Sequence, residues 1–193
     1  MDIAAILKWL EASGLATRIR DSLFLFPLIE SIHVIGLALV FGTIIIIDLR
    51  LLGAASAHRS FQRMASDILK WTWAAFAVTA LTGALMFITN AAVYYNNFYF
   101  RTKMLLLVLS GMNMLAFELT AGRTIHQWDK SPSAPRAGRT VAALSVALWI
   151  GVIIAGRLIG FTTSRATNVP LQDDINFEDF LQGTPPETPP PNK

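Results

Sequence analysis

Four stretches of the chain run almost without charge: residues 23–47, 71–92, 103–121 and 141–161. Each supplies about the 20 apolar residues that a helix needs to cross a bilayer. Residues 2–20 follow another rule. Ile3, Ile6, Leu7, Leu10 and Leu15 recur near helical spacing, with Lys8, Glu11 and Arg18 between them. That pattern suits an amphipathic helix lying along the membrane surface, and would also suit a short helix packed on the bundle. From 163 onward the chain turns polar. D-D-I-N-F-E-D-F-L-Q-G (173–183) can form one short helix that stops at Gly183, with Phe177, Phe180 and Leu181 as its apolar contacts. T-P-P-E-T-P-P-P-N-K (184–193) is extended, because proline blocks helix. The pattern therefore predicts an all-α integral membrane protein. A membrane domain (1–162) holds a bundle of four transmembrane helices behind an N-terminal interfacial helix, and a polar, Pro-rich tail (163–193) follows as a disordered segment or a docking arm.

Composition supports the membrane reading. The chain has 193 residues, 53% hydrophobic and 15% charged, against roughly 25% charged in soluble domains. Its mean hydropathy is +0.49. With no cysteine, it has no disulfide, iron–sulfur cluster, c-type haem attachment or thiolate metal site. Lys8, Glu11, Arg18 and Arg20 interrupt the N-terminus, so it does not read as a signal peptide. The pI near 9.5 does not imply nucleic acid, since the basic residues stand at the ends of apolar segments, as topology signals do.

Orientation rests on the loops. Arg50, Arg59, Arg63 and Lys70 share one side with Arg123, Lys130, Arg136 and Arg139. Lys8, Arg18, Arg20, Arg101, Lys103, Arg165 and Lys193 lie on the other, so the basic residues stand eight against seven. The turn V-Y-Y-N-N-F-Y-F (93–100) suits an interfacial aromatic belt, and the tail carries Asp173, Asp174, Glu178, Asp179 and Glu187. The expected location is a bacterial inner membrane, with both termini periplasmic.

Ionisable residues inside a membrane raise a functional question by default. Three stand out: Glu30, His33 and Arg157. Counting from Asp48 as the inner end of the first helix puts Glu30 at the outer interface and His33 about 7 Å deep. Arg157 falls about 6 Å deep in the same leaflet. Glu30 and His33, three apart, share a helix face. One reading is structural: Arg157 pairs with Glu30 or snorkels, and His33 donates a hydrogen bond to a neighbouring helix. The other is a small polar site on the outer face, able to hold a quinone carbonyl, a haem propionate or a metal. Asn90 shares a face with Thr79, Thr82, Gly83 and Met86, and Asn113 shares one with Ser110 and Phe117. These are weaker candidates, because interhelical hydrogen bonding explains most such residues.

Several chemistries fail on the inventory. Bis-histidine haem needs two facing histidines, but His58 and His126 fall in the inner connections and His33 lies near the outer face. E-S-I-H (30–33) matches the E-x-x-H of di-iron bundles, which require two such motifs and two more carboxylates. Met112 and Met114 lie about 200° apart on a helix, which favours core filling over a copper site. No zinc-protease, phosphate-loop or serine-triad signature occurs.

E-S-I-H-V-I-G-L-A-L-V-F-G-T (30–43), D-L-R-L-L-G (48–53), F-Y-F-R-T-K (98–103) and S-V-A-L-W-I-G-V-I-I-A-G-R-L-I-G (145–160) resemble a family of uncharacterised bacterial four-helix inner-membrane proteins. That resemblance implies four helices and no established activity. The chain is more loosely similar to copper-resistance D-type and b561-like membrane domains, whose bundles hold haem through paired helix histidines. That likeness implies a histidine after the N-x-x-x-F of the third helix, where this chain has Glu118.

The expected function is a non-catalytic membrane subunit or module, accessory to an outer-face electron-transfer system, with haem b or quinone held near His33. Its partners would be the lipid bilayer and another membrane or periplasmic protein, met through the tail and the aromatic turn. The alternatives are a purely structural subunit of a larger complex and a small-molecule or metal-ion carrier. The carrier lacks support in a chain of intramembrane acids or in broken helices.

Overall fold

A segment crossing lipid must satisfy its backbone groups within itself, and four helices here do so. They are α3 (Leu25–Leu52), α4 (Phe61–Thr89), α6 (Phe98–Leu119) and α8 (Arg136–Ala166). The computed structural model describes residues 2–55 and 60–166, with side chains through 162. Each of the four predicted spans becomes a helix long and apolar enough to cross a membrane. No strand occurs among the described residues. The tail beyond Ala166, with its predicted short helix, and His58 lie outside the described residues.

The ends of the helices differ from the expected ones for local reasons. Asp48 does not end α3. The helix continues through Leu49, Leu51 and Leu52 until Gly53 turns left-handed at φ +80°. The N–H of Gly53 then donates to Arg50 O (3.1 Å) and that of Ala54 to Leu49 O (2.9 Å), closing the last turn as a glycine C-cap does. α4 starts at Phe61 rather than at 71, behind Ser60, whose hydroxyl accepts from Arg63 N. α8 overruns its expected span at both ends.

The predicted helix over 2–20 is two. α1 (Ile3–Glu11) is capped by Asp2 and α2 (Gly14–Asp21) by Ser13. The pair packs on the bundle through one side. Leu7, Ala16 and Ile19 are buried, while Ile3, Ile6, Trp9 and Leu15 stay exposed. Two polar ties hold the pair down: Arg20 donates to Thr89 O (3.1 Å), and the N–H of Ala92 donates to the Glu11 carboxylate (2.8 Å). The aromatic turn forms α5 (Ala91–Asn96). Asn97 then caps α6 and reaches Thr162 of α8 at 2.8 Å.

α4 packs along α3, α6 packs along α8, and α3 meets α8. α4 and α6 share no comparable backbone contact. Rings bridge them at the two ends, Phe61–Phe117 at 5.8 Å and Phe87–Phe100 at 5.3 Å. Val40, Ala75, Trp149 and Val152 fill the middle of the bundle. Leu51, Phe61, Ala121, Trp128, Ala134 and Ala142 fill the end where the two longer connections lie, called here the loop end. The opposite end, carrying α1, α2 and α5, is the turn end. A short 3-10 turn (Gly122–Thr124) and α7 (Ile125–Trp128) cover the loop end. There Arg50 is fully buried and donates to the carbonyls of Asp129 (3.2 Å), Ser131 (3.0 Å) and Pro132 (3.3 Å).

Candidate functional site

His33 sits on α3 one turn above Gly36, half-buried against α4. Gly36 has no side chain, and a Cβ there would collide with Thr79 Oγ1, so α3 and α4 approach closely at this level. The approach sets the imidazole over Gly83, where an added Cβ would stand 3.0 Å from Cε1. His33 Nδ1 lies 3.0 Å from Thr79 O and 3.1 Å from Thr82 Oγ1. A carbonyl oxygen can only accept. The Thr82 hydroxyl proton is directed at Val78 O (2.8 Å) or Thr79 O (3.1 Å). Nδ1 therefore carries a hydrogen, and in the neutral imidazole Nε2 keeps its lone pair to accept or to ligate.

Lys103, on the second turn of α6, brings the second polar group. Its ammonium lies against Gly156 of α8, where an added Cβ would be 3.7 Å from Nζ. It is also near enough to His33 for the two to interact electrostatically. Among the described residues, it makes no ion pair or hydrogen bond. The sequence reading counted Lys103 only as a topology charge. Its place at the end of the F-Y-F-R-T-K motif and one turn inside α6 was the available signal.

The predicted cluster of Glu30, His33 and Arg157 does not form. Glu30 is exposed and its charge acts on Tyr94 of α5. Burial first, and then Glu30, pushes the Tyr94 phenol above its ordinary value. Arg157 is exposed on α8 and lies over the ring of Phe161 at 5.0 Å, a cation–π contact. The two charges share a leaflet, but each faces away from the helix seam that an ion pair would need. Only His33 of the three points inward.

The weaker candidates lie apart from His33. Asn113 is buried and donates to Val141 O (3.0 Å), tying α6 to α8. Asn90 breaks the helix between α4 and α5, and its side chain makes a long contact to Thr89 Oγ1 (3.4 Å). At the loop end an open polar hollow of about 450 Å³ is lined by Gln62, His126, Gln127, Asp129, Lys130 and Ser131. Asp129 is already committed there, accepting from Gln62 N (2.8 Å) and Ser60 Oγ (2.7 Å). Those bonds hold its carboxyl below the usual carboxylate range. No group of three or more metal-ligating side chains occurs among the described residues.

Together these features define a class: a four-helix membrane protein with, among the described residues, one inward-facing histidine and a half-buried lysine near the turn end. The chain belongs to a family of unknown function, DUF6644, whose model matches residues 6–162. The match covers the helices and all the candidate residues, and stops short of the tail. No curated protein and no solved structure matches the chain. The similarity to copper-resistance D-type and b561-like domains finds no support in these comparisons.

Proposed function

We propose that the protein is a non-catalytic membrane module that holds a quinone-type headgroup between His33 and Lys103, accessory to an electron-transfer system on the outer face of a bacterial inner membrane. The observation that carries this reading is the commitment of His33 Nδ1 to Thr79 O. It leaves an acceptor, Nε2, on a ring near enough to the Lys103 ammonium, a donor, for the two to interact electrostatically. A quinone carbonyl accepts from a lysine N–H, and a quinol hydroxyl donates to an imidazole nitrogen. The site lies at the turn end, next to α5 and the exposed apolar side of α1, which this reading places at the periplasmic surface together with both termini. The tail and the aromatic turn then face a partner protein.

The test is extraction of quinone from protein purified in native lipid discs. The parent should carry quinone above the content of empty discs, and His33→Ala and Lys103→Met should each lower it at least about tenfold, since each loses a hydrogen bond to the headgroup. Equal quinone in the parent and in empty discs refutes the reading. A second reading, haem b on His33, is favoured by the same Nδ1–H to carbonyl bond, which is how ligating histidines are oriented. A Soret band in the parent that disappears in His33→Ala selects it, and a colourless parent eliminates it.

A further inference from the structure

Asp48 lies on α3 one turn above the loop-end core and is 5% exposed. Its Oδ2 has no hydrogen-bond partner among the described residues. Across the seam, α8 sets Ser145 beside the carboxyl. Around this pair the packing is apolar, with Leu51 and Ala142 on one side and Val40, Ile44 and Trp149 on the other. An ionised carboxylate with an unpaired oxygen is strongly disfavoured in such surroundings.

Among the described residues no cation pairs with it. Arg50, two residues on along the same helix, donates to the carbonyls of Asp129, Ser131 and Pro132. The charged groups on the lower parts of the neighbouring helices are Asp67 and Lys70 on α4, Glu118 on α6, and Arg136 and Arg139 on α8. Among the described residues none forms an ion pair with Asp48 within 4.0 Å. The carboxyl therefore lacks a counter-charge among the described residues.

We infer that Asp48 and Ser145 form a binding site for a small cation, a proton or a monovalent metal ion, at the α3–α8 seam near the loop end. The carboxylate supplies the charge, and the serine hydroxyl supplies a neutral oxygen that can ligate a metal ion or accept from a protonated carboxyl. The site is independent of the one at His33, which stands four helical turns away on the same helix.

Carbodiimide labelling of the purified full chain in native lipid discs tests this. A protonated carboxyl adds across the N=C=N group, its proton passing to one nitrogen and its oxygen to carbon, and acyl transfer to nitrogen then fixes the adduct without loss of atoms. Labelling is read by peptide mass spectrometry between about pH 6 and about pH 9, with the exposed Glu30 as internal comparison and Asp48→Asn as control. If the cation is a proton, Asp48 labels at least tenfold more than Glu30 near neutral pH, loses reactivity as pH rises, and ignores sodium and lithium. If it is a metal ion, sodium or lithium suppresses labelling several-fold, and Ser145→Ala weakens that protection. Labelling of Asp48 that tracks Glu30 at every pH overturns the inference, as does failure of Asp48 to label under any pH and salt. The parent alone supplies these readouts, so they hold even if Asp48→Asn does not fold.

Discussion

A methyl group on residue 83 would stand 3.0 Å from the His33 ring, and one on residue 36 would collide with Thr79 Oγ1. These two glycines separate site from scaffold. Gly36→Ala must push α3 from α4 at their closest approach, and is expected to cost about 1–3 kcal/mol, read as a lower melting temperature in detergent. Gly83→Ala needs a shift of only a few tenths of an ångström from an imidazole at the end of a side chain. It should leave the melting temperature within a few degrees of the parent while reducing whatever His33 holds. A large stability loss in Gly83→Ala with ligand retained would contradict this assignment. The sequence placed Thr79, Thr82 and Gly83 on one face and marked His33, but did not join them, since periodicity orders residues within a helix and not across two. It gave Glu30 and Arg157 to His33 because all three share a depth; rotation about the helix axis, which depth does not fix, turns both charges outward.

At the scale of elements, the spans were legible because about 20 apolar residues admit little else. Their ends were not, because hydropathy falls before the helix does. Leu49–Leu52 and residues 61–70 continue as helix past the last apolar run, held by caps and by contacts to the loops. One cap carries a pH dependence. Asp129, from the connection before α8, accepts from Gln62 N and Ser60 Oγ at the start of α4, where the helix dipole also favours a negative charge. Its folded pKa is lowered. The stabilisation is thus complete above the ordinary aspartate value of about 3.9 and is lost as pH falls through the lower folded value. Asp129→Asn should cost about 0.5–2 kcal/mol near neutral pH and flatten the acid limb of the stability profile. An unchanged acid limb in that variant, followed by circular dichroism, would assign the dependence to other carboxyls.

The whole molecule has two faces, and the absence of cysteine makes them easy to tell apart. With single cysteines at Trp9 on the turn end and at Lys130 on the loop end, a membrane-impermeant maleimide applied to intact spheroplasts should label Trp9→Cys only. Labelling of Lys130→Cys instead would invert the orientation. The four-helix count and the order of the spans could be read from the sequence. The pairing of helices could not, because near-uniform apolar faces leave the choice of neighbour to small residues such as Gly36 and Gly151, whose role appears only when the partner helix is in place.

The pairing itself has a consequence for how the chain is made. α3 with α4, and α6 with α8, are the long pairings, and each joins consecutive spans. The contact of α3 with α8 is the spine of a book, and α4 and α6 are its outer edges, clasped by the ring pairs at their two ends. Each leaf can be completed as soon as its second helix enters the bilayer, with no need of the other. Assembly then leaves one late event, the closing of the spine, and that event brings Ser145 to Asp48 and Gly156 to the level of His33. Both polar sites belong to the binding rather than to the leaves, and neither is finished until the last helix is in.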